Sequence, residues 1–346
     1  MKIRLIALLI VAGAPGPTAA AAPPSNLAAT TKREAPRPKK RKGMVPSLSI
    51  GLNFAFSQSQ GVVGVPDGVA MALGLTLRGG LDFRRGPHRW TTDLLIQETI
   101  TKVPGIEPFI KGSDLIEVTS EYAYHFPRVG RLSVYGGIRL RGTLLEGSLV
   151  RREETHLQLT NVDGTTFTDL VGAQQPYPLT EFLAPLILEQ SAGAGLRALG
   201  LRSASLSFRL GLIAHQVITQ GGYVVHDDEA TPGVVELIQM RDYVQGGAEA
   251  RAVLTGRVAD DLLGYQLGVR VMFPFATSVS TTLAYHRLLN VELRAALSIR
   301  IFSWASLEYS LRVLRMELLT PGWQVANLLM LSVTADAGDR RGRATP

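Results

Sequence analysis

The most informative absence in this 346-residue sequence is that of cysteine. Without thiols the chain has no disulfide framework, no cysteine metal site and no thiol nucleophile. Its fold must therefore be stabilised in another way.

Long apolar runs are the second absence. The longest apolar run at the start of the chain, LIALLIVAGA at 5–14, has only ten residues. It follows the basic start MKIR and precedes the small-residue stretch PGPTAAAAPP. This order is typical of a secretory signal peptide, and the run is too short to span a membrane as a helix. We expect residues 1–22 to be a signal peptide cleaved near residues 20–22. Because no later apolar run reaches about 18 residues, we expect an exported protein without helical anchors.

A concentrated basic face is also missing, although the formal net charge is +7. The segments 1–22, 23–42 and 339–346 together carry about +10, which leaves about −3 for residues 43–338. A nucleic-acid-binding domain needs its basic side chains on a folded surface. The charge distribution therefore argues against nucleic acid as a partner.

The two ends of the chain are expected to be unfolded. Residues 23–43 are rich in proline and charge and poor in large apolar side chains, which predicts a disordered periplasmic linker, and 339–346 is expected to be a flexible tail. The basic run from Arg37 to Lys42 allows two interpretations. It holds the linker against anionic lipid headgroups or another envelope polyanion, or it is a solubilising flank.

The region 44–338 alternates between apolar and polar residues with the period of a β-strand. In AMALGLTLRGGLDFRR at 70–85, leucines and other apolar residues occupy one parity and Thr76, Arg78 and Asp82 the other. Twelve such segments are predicted strands: 47–56, 70–83, 89–102, 114–126, 131–145, 184–197, 203–216, 241–256, 262–273, 289–301, 304–317 and 324–336. Their lengths exceed the usual five or six residues of soluble sheets and suit a tilted membrane crossing.

The connections between these segments alternate between short and long. Short connections lie at 84–88, 127–130, 198–202, 257–261 and near Ser303, whereas long ones lie at 57–69, 103–113, 146–183, 217–240 and 274–288. Outer-membrane barrels have short periplasmic turns and long outer loops. The sequence therefore predicts an all-β fold, a transmembrane antiparallel meander barrel of about twelve strands in the bacterial outer membrane, with both termini periplasmic. The alternative is an exported soluble β-sandwich.

The parity of the strands assigns residues to two surfaces. Leu73, Leu75 and Leu77 are expected to face lipid. The opposite parity supplies candidate lumen-lining residues: Arg78, Asp82, Arg89, Asp93, Glu117, Glu121, Arg139, Arg141, Arg209, Glu249, Arg251, Arg270, Glu292, Arg294, Glu308 and Arg312. Outward aromatics near the strand ends form a candidate membrane-interface girdle: Phe54, Phe56, Phe83, Trp90, Tyr122, Tyr124, Phe126, Phe273 and Trp323. Core aromatics of an ordinary sheet are the alternative interpretation.

The lumen charges leave two outcomes open. They form either a salt-bridged, nearly closed interior or a narrow channel whose arginine excess favours anions. Such charges also brace a barrel interior whether or not it conducts.

Other chemistry finds little support in the sequence. Glu117, Glu121 and His125 share one strand face, but four residues of strand span about 13 Å, too far for direct proton transfer. The cluster HDDE at 226–229 either binds a hard cation such as calcium or is a solvated acidic loop, and it lacks the spacing of an EF-hand. The stretch GAGLRALG at 193–200 lies in a predicted strand, so it is not a dinucleotide fingerprint. No cofactor and no catalytic residue are predicted.

Three segments resemble a group of uncharacterised bacterial outer-membrane barrels classified as domains of unknown function: SDLIEVTSEYAYHF, LTEFLAPLILEQSAGAGLRAL and NVELRAALSIRIFSWASLEYSLRVL. The resemblance spans most of residues 47–336. It implies a barrel fold and an outer-membrane location, and it carries over no reaction and no functional residue.

Three classes of function follow from this reading. The first is passive transport, through a narrow pore for small solutes across the outer membrane. The second is a non-conducting barrel that acts as a binding or structural platform through its loops at 146–183 and 217–240. The third is a barrel enzyme with a site at the lipid face or the outer rim.

Overall fold

The computed structural model describes residues 43–59, 68–201, 203–226, 231, 233–281, 283–302 and 305–336. The predicted signal peptide, the predicted linker up to residue 42 and the predicted tail lie outside the described residues. The strands are β1 (Gly43–Ser59), β2 (Gly68–Arg85), β3 (His88–Lys102), β4 (Ile110–His125), β5 (Leu132–Gly142), β6 (Gly147–Val150), β7 (Thr155–Thr160), β8 (Thr166–Val171), β9 (Pro176–Thr180), β10 (Leu186–Gly200), β11 (Ser205–Ile218), β12 (Tyr223–Val225), β13 (Val234–Gln239), β14 (Tyr243–Val258), β15 (Leu263–Thr277), β16 (Asn290–Arg300), β17 (Ala305–Met316) and β18 (Thr320–Asp336). A 3₁₀ turn covers Tyr285–Arg287.

Twelve of these strands form a closed antiparallel barrel. The order around the ring is β1-β18-β17-β16-β15-β14-β11-β10-β5-β4-β3-β2, so chain neighbours pair throughout and only the short loop strands are left out. The ring closes between β1 and β18, where Phe54 lies opposite Leu331 and Ser49 opposite Asp336. Over the six residue pairs from Ser49 to Phe54 this seam removes the open sheet edge, as a sheet in hydrocarbon requires. The predicted meander barrel of twelve strands is confirmed, and the β-sandwich is not what the chain forms.

Each of the twelve predicted strands has a counterpart in the barrel, with ends shifted by a few residues. The largest extension is at β1, which begins at Gly43, the last residue assigned to the linker. The barrel part of the chain begins and ends on the side of the short connections, because the number of strands is even. At the other end, one connection is also short, since only residues 317–319 separate β17 from β18. No helix among the described residues is long and apolar enough to span a membrane.

The outer surface of the barrel is aliphatic. On neighbouring strands Leu52 lies opposite Leu75, and these side chains are 61% and 48% exposed. Thr76, the next residue on β2, is only 3% exposed. Alternating exposure of this kind means that one parity of each strand points away from the barrel and the other into it. A ring of exposed leucine side chains is unfavourable in water and favourable in lipid.

The long connections at 143–185 and 219–242 contain strands of their own, which the sequence analysis did not predict. In a four-stranded sheet of order β12-β13-β7-β8, the central pair β13 and β7 is parallel and joins the two connections. We call this sheet and its apolar core the loop sheet. Its buried core consists of Leu157, Leu159, Val171, Val225, Val235 and Leu237. Strands of three to six residues give too few alternations to be recognised in a sequence.

Side chains of the loop sheet, and others packed against its core, also form polar links. The Tyr177 hydroxyl donates a hydrogen bond of 3.1 Å to the Asp169 carboxylate. Burial and this carboxylate raise the pKa of Tyr177 to about 12, which keeps the hydroxyl protonated and able to donate. On β12, the Tyr223 hydroxyl donates to Asn161 at 2.8 Å, so the second connection is fastened to the first.

A close approach of backbones explains the first glycine of GAGLRALG. Gly193 on β10 lies opposite Gly211 on β11. A Cβ atom at Gly193 would overlap the carbonyl oxygen of Leu210 and lie 2.5 Å from the Cα atom of Gly211. Both positions therefore require glycine for lack of space.

We expect Gly193→Ala to destabilise the barrel by about 1–3 kcal/mol, because the added methyl group must push two backbones apart. The matched control is Gly136→Ala on β5, where the nearest atom to an added Cβ is 4.0 Å away. Urea unfolding of the refolded proteins measures both. A Gly193→Ala midpoint equal to that of the control would contradict the close approach.

Candidate functional site in the barrel interior

Ion pairs cross the interior of the barrel. Arg139 on β5 and Glu292 on β16 approach within 3.8 Å, although four strands separate them on one side of the ring and six on the other. Contacts between strands so far apart in the ring run through the lumen. The side chains joined in this way form what we call the charge layer: Glu117, Glu189, Glu249, Glu292, Arg139, Arg141, Arg270, Arg294 and Arg312.

Glu292 is the hub of the charge layer. Its Oε1 atom accepts a hydrogen bond from Arg312 Nε at 2.9 Å and lies 2.5 Å from Arg294 Nη2. Arg141 Nη1 lies 3.8 Å from the same oxygen. The side chains of Glu292 and Arg312 are only 8% and 5% exposed. Buried charges of this kind are stable only as a complete network, since each desolvated group depends on its partners.

Glu189 on β10 forms a second centre. It faces Arg139 in direct strand register and also receives Arg270 Nη1 at 2.9 Å, although β14 and β11 intervene between β15 and β10. Arg270 in turn donates from Nε to Glu249 at 2.6 Å. Arg139 donates to Glu117 at 2.6 Å on the other side. The charge layer is therefore continuous across the lumen.

An apolar cluster lies next to the charge layer on the side of the long connections. Its buried side chains are Ile187, Val217, Tyr243, Leu314 and Met316, with Val279, Leu318 and Leu319 of the connections packed against them. We call this cluster the apolar seal. Strand residues and connection residues both contribute to it, so part of the lumen is filled by the loops.

A small cavity lies between the two layers. A cavity of about 30 Å³ is lined by Arg141, Glu189, His215, Glu292 and Leu314, among others, and is large enough for about one water molecule. The ring of His215 packs edge-on against Tyr243, with 5.7 Å between centroids. A larger cavity of about 170 Å³ lies beyond Tyr243, beside Arg241, Glu317 and Leu318. Side chains of the charge layer and of the apolar seal therefore meet across the lumen at mid-barrel.

Some charges nearer the short turns are more exposed than the charge layer. Arg209 on β11 binds the carboxylate of Glu121 through both terminal guanidinium nitrogens and lies over the Tyr135 ring, 4.9 Å from its centroid. Arg251 is exposed. At the end of β2, Asp82 accepts hydrogen bonds from Arg84 at 2.9 Å and Arg89 at 3.2 Å.

The structure distributes the candidate lumen residues among several places. The charge layer contains Glu117, Arg139, Arg141, Glu249, Arg270, Glu292, Arg294 and Arg312. Asp82 and Arg89 pair near the short turns, as do Glu121 and Arg209. Glu308 is buried and accepts a hydrogen bond from Ser306 at 2.8 Å, whereas Arg78 is half-buried and Asp93 and Arg251 are exposed. Their role in lining a conducting lumen stays a prediction.

The candidate girdle residues lie at both ends of the strands. Trp90 and Tyr122 are exposed neighbours on β3 and β4, with Phe83 beside Trp90 in the next strand. Tyr124 packs edge-on between His88 and Phe126. Near the long connections, Phe54, Phe273 and Trp323 are 49%, 49% and 55% exposed. The side chain of Phe56 lies outside the described part of the structure, and the interfacial role of the set stays a prediction.

The inward acids of β4 are engaged in ion pairs. Glu117 binds Arg139, whereas Glu121 binds Arg209, so neither is paired with His125. Among the described residues no group of three acids or histidines could hold a metal ion. Of the HDDE cluster, residues 227–229 lie outside the described residues, and the calcium hypothesis stays a prediction.

Sequence reasoning missed Glu189 and the apolar seal. Glu189 lies in a strand rich in alanine and glycine, where parity has little contrast. Glu189 lies four residues before Gly193 and therefore on the same face of the strand. This spacing is the sequence feature that could have identified Glu189 as inward-facing. The inward residues of β17 are polar at Glu308, Ser310 and Arg312 but apolar at Leu314 and Met316. The last part of the strand therefore resembles a strand with two apolar faces, and the sequence did not reveal the seal.

Comparison with known proteins gives likenesses to solved barrels. No family model matches the chain, and no curated protein matches it. The β domain of the autotransporter BrkA from Bordetella is 13% identical, with 85% of this chain and 98% of that chain covered and a TM-score of 0.33. An outer membrane channel from Pseudomonas putida F1 is 9% identical, with 86% and 97% covered and a TM-score of 0.40. The toluene transporter TodX from Pseudomonas putida is 8% identical, with 92% and 93% covered and a TM-score of 0.33.

The barrel architecture of this chain rests on its own strand pairing, because likenesses at these levels add nothing beyond it. Membership of the uncharacterised family that the sequence resembles stays a prediction.

Proposed function

We propose that this protein is a non-enzymatic outer-membrane barrel that is closed at rest and passes small solutes when its apolar seal is displaced. In this proposal the aliphatic band contacts outer-membrane lipid, both termini lie in the periplasm, and the long connections lie outside. The short turns on the side of both barrel termini support that orientation.

The observation that carries the proposal is the composition of the apolar seal. Leu318 and Leu319 belong to the connection between β17 and β18, and Val279 belongs to the connection after β15. Apart from the Tyr243 hydroxyl, the seal side chains are apolar and cannot replace the hydration of an ion, so the seal blocks passage by dewetting. Because the blocking side chains come partly from connections, a loop movement can open the path without breaking the barrel.

Planar-bilayer conductance of the purified, refolded protein tests this. We expect wild type to be closed for most of the time, and the double variant Leu314→Ala with Met316→Ala to open more often, because it removes seal side chains. The matched control is the double variant Leu311→Ala with Val313→Ala, which alters the outward parity of the same strand.

Two outcomes would contradict the conduit. One is a seal variant that is shown to be folded by heat-modifiable migration and yet stays electrically silent. The other is equal opening in the seal variant and the control, since conduction would then not pass the seal.

A second candidate function is favoured by the loop sheet. Its edge strand β8 exposes Phe167 and Leu170, which are 44% and 47% exposed, and it has its own apolar core. Binding sites are often carried by loops on a rigid scaffold. If the seal variant is folded and silent, we would assign the protein to the class of binding or structural platforms.

A further inference from the structure

Three arginines lie side by side on the inner wall of the barrel. Arg251 on β14 is directly opposite Arg209 on β11 and directly opposite Arg270 on β15. Cβ atoms of such pairs are only about 5 Å apart, and like charges in this arrangement destabilise a sheet. The row therefore needs negative charge nearby.

The protein supplies that charge to the two outer arginines. Arg209 binds both carboxylate oxygens of Glu121. Arg270 binds Glu189 at 2.9 Å and Glu249 at 2.5 Å. Arg251 forms no ion pair and no side-chain hydrogen bond with any residue that the structure describes, and it is exposed. Its guanidinium group is thus available to a ligand.

The charge balance around Arg251 indicates what kind of ligand fits. The charge layer contains five arginines and four glutamates, and the pair of Arg209 with Glu121 is neutral. Addition of Arg251 leaves this group of arginines and glutamates with an excess of two positive charges. A doubly charged oxyanion balances this excess, and guanidinium groups bind such oxygens through two parallel hydrogen bonds.

The exposed side of the arginine row indicates the direction of access. On β14, Glu249 has a side chain that is 5% exposed, whereas Arg251, two residues nearer the short turns, is exposed. On β11, His215 is 2% exposed and Arg209, six residues nearer the short turns, has a side chain that is 31% exposed. Access therefore improves toward the short turns.

We propose that Arg251, flanked by Arg209 and Arg270, is the centre of a binding site for a small doubly charged oxyanion of the phosphate class, which enters from the short-turn side. This proposal rests on the proposed function, because it names the solute class of the same lumen. A solute bound here lies on the short-turn side of the apolar seal and has not yet passed the charge layer.

Equilibrium binding of inorganic phosphate to the refolded full chain in detergent tests the site, measured by titration calorimetry at low salt. We expect Arg251→Ala to weaken binding by about tenfold or more, because a charge-assisted bidentate contact is lost. Arg251→Lys keeps the positive charge but loses the planar guanidinium group that donates two parallel hydrogen bonds. Its phosphate affinity is expected to lie between those of wild type and Arg251→Ala. The control Arg84→Ala removes the same charge at the barrel rim and is expected to change affinity by less than about twofold.

Phosphate binding to wild type that does not saturate would overturn the site, and so would equal binding by wild type and Arg251→Ala. Chloride that competes as well as sulfate would overturn the preference for a doubly charged ligand. Binding needs no open lumen. If the protein binds phosphate but never conducts, the proposed conduit is wrong and the proposed binding site stands. If it conducts without binding phosphate, the binding site is wrong and the conduit stands.

Discussion

Glu292→Gln is expected to cost about 3–5 kcal/mol of unfolding free energy, because it removes the hub carboxylate and leaves buried arginines without their counter-charge. Arg312, with a side chain 5% exposed, has its carboxylate partner in Glu292, and Arg294 also pairs with that carboxylate. The substitution keeps the shape of the side chain, so the loss reports on charge. Denaturant unfolding of the refolded barrel, followed by tryptophan fluorescence, measures it.

Glu308→Gln is the matched control for that variant. Glu308 is equally buried, at 7% exposure, but its side chain accepts a hydrogen bond from the Ser306 hydroxyl, which a glutamine carbonyl can also accept. We expect a change within about 1 kcal/mol. If both variants lost the same stability, the charge layer would contribute no more than an ordinary hydrogen bond.

Leu75→Arg is expected to oppose membrane insertion by about 2–4 kcal/mol, because Leu75 lies near the middle of β2 on the aliphatic outer face. The refolding yield and the unfolding free energy in lipid vesicles measure the effect. The exposed fraction of Leu75, 48%, shows that an arginine would fit sterically, so the cost is one of charge in hydrocarbon.

Met44→Arg provides the depth control. Met44 is 63% exposed on the same outer face, but it lies at the short-turn end of β1 opposite Phe83. Near a membrane interface an arginine costs only about 0–1 kcal/mol. Equal losses of unfolding free energy at the two positions would show that the aliphatic outer face does not cross a bilayer. No loss at either position would show that this face does not contact a membrane.

The outer half of the molecule could be predicted from the sequence. Period-two alternation is a local property. The alternation within segments such as 47–56 and 70–83 therefore predicts both that they are strands and which of their residues face outward. The strand count followed from twelve such segments, and the alternation of short and long connections indicated a meander. Ring closure between β1 and β18 agrees with that interpretation, since in a meander with an even number of strands the last strand can pair antiparallel with the first.

The state of the interior could not be predicted, because it depends on residues that are distant in sequence and face one another only across the ring. Parity placed Arg139 and Glu292 on the inward face but not within 3.8 Å of each other, a distance set by the stagger of twelve strands. Parity also did not predict that Leu314 and Met316 pack with Leu318 and Leu319 inside the barrel. The parallel pairing of β7 with β13 joins two connections through short strands whose own pattern is too brief to read.

The sequence alone determined that this chain forms barrel strands, how many of them it forms and which face of each is aliphatic, because neighbouring residues along a strand decide those properties. The tertiary structure alone decided that charged and apolar side chains meet across the lumen, that Glu189 completes the charge layer and that Arg251 is left without a carboxylate partner among the described residues. The physical reason is that charge pairing and packing inside a barrel depend on the distances between side chains from strands that only ring closure brings together.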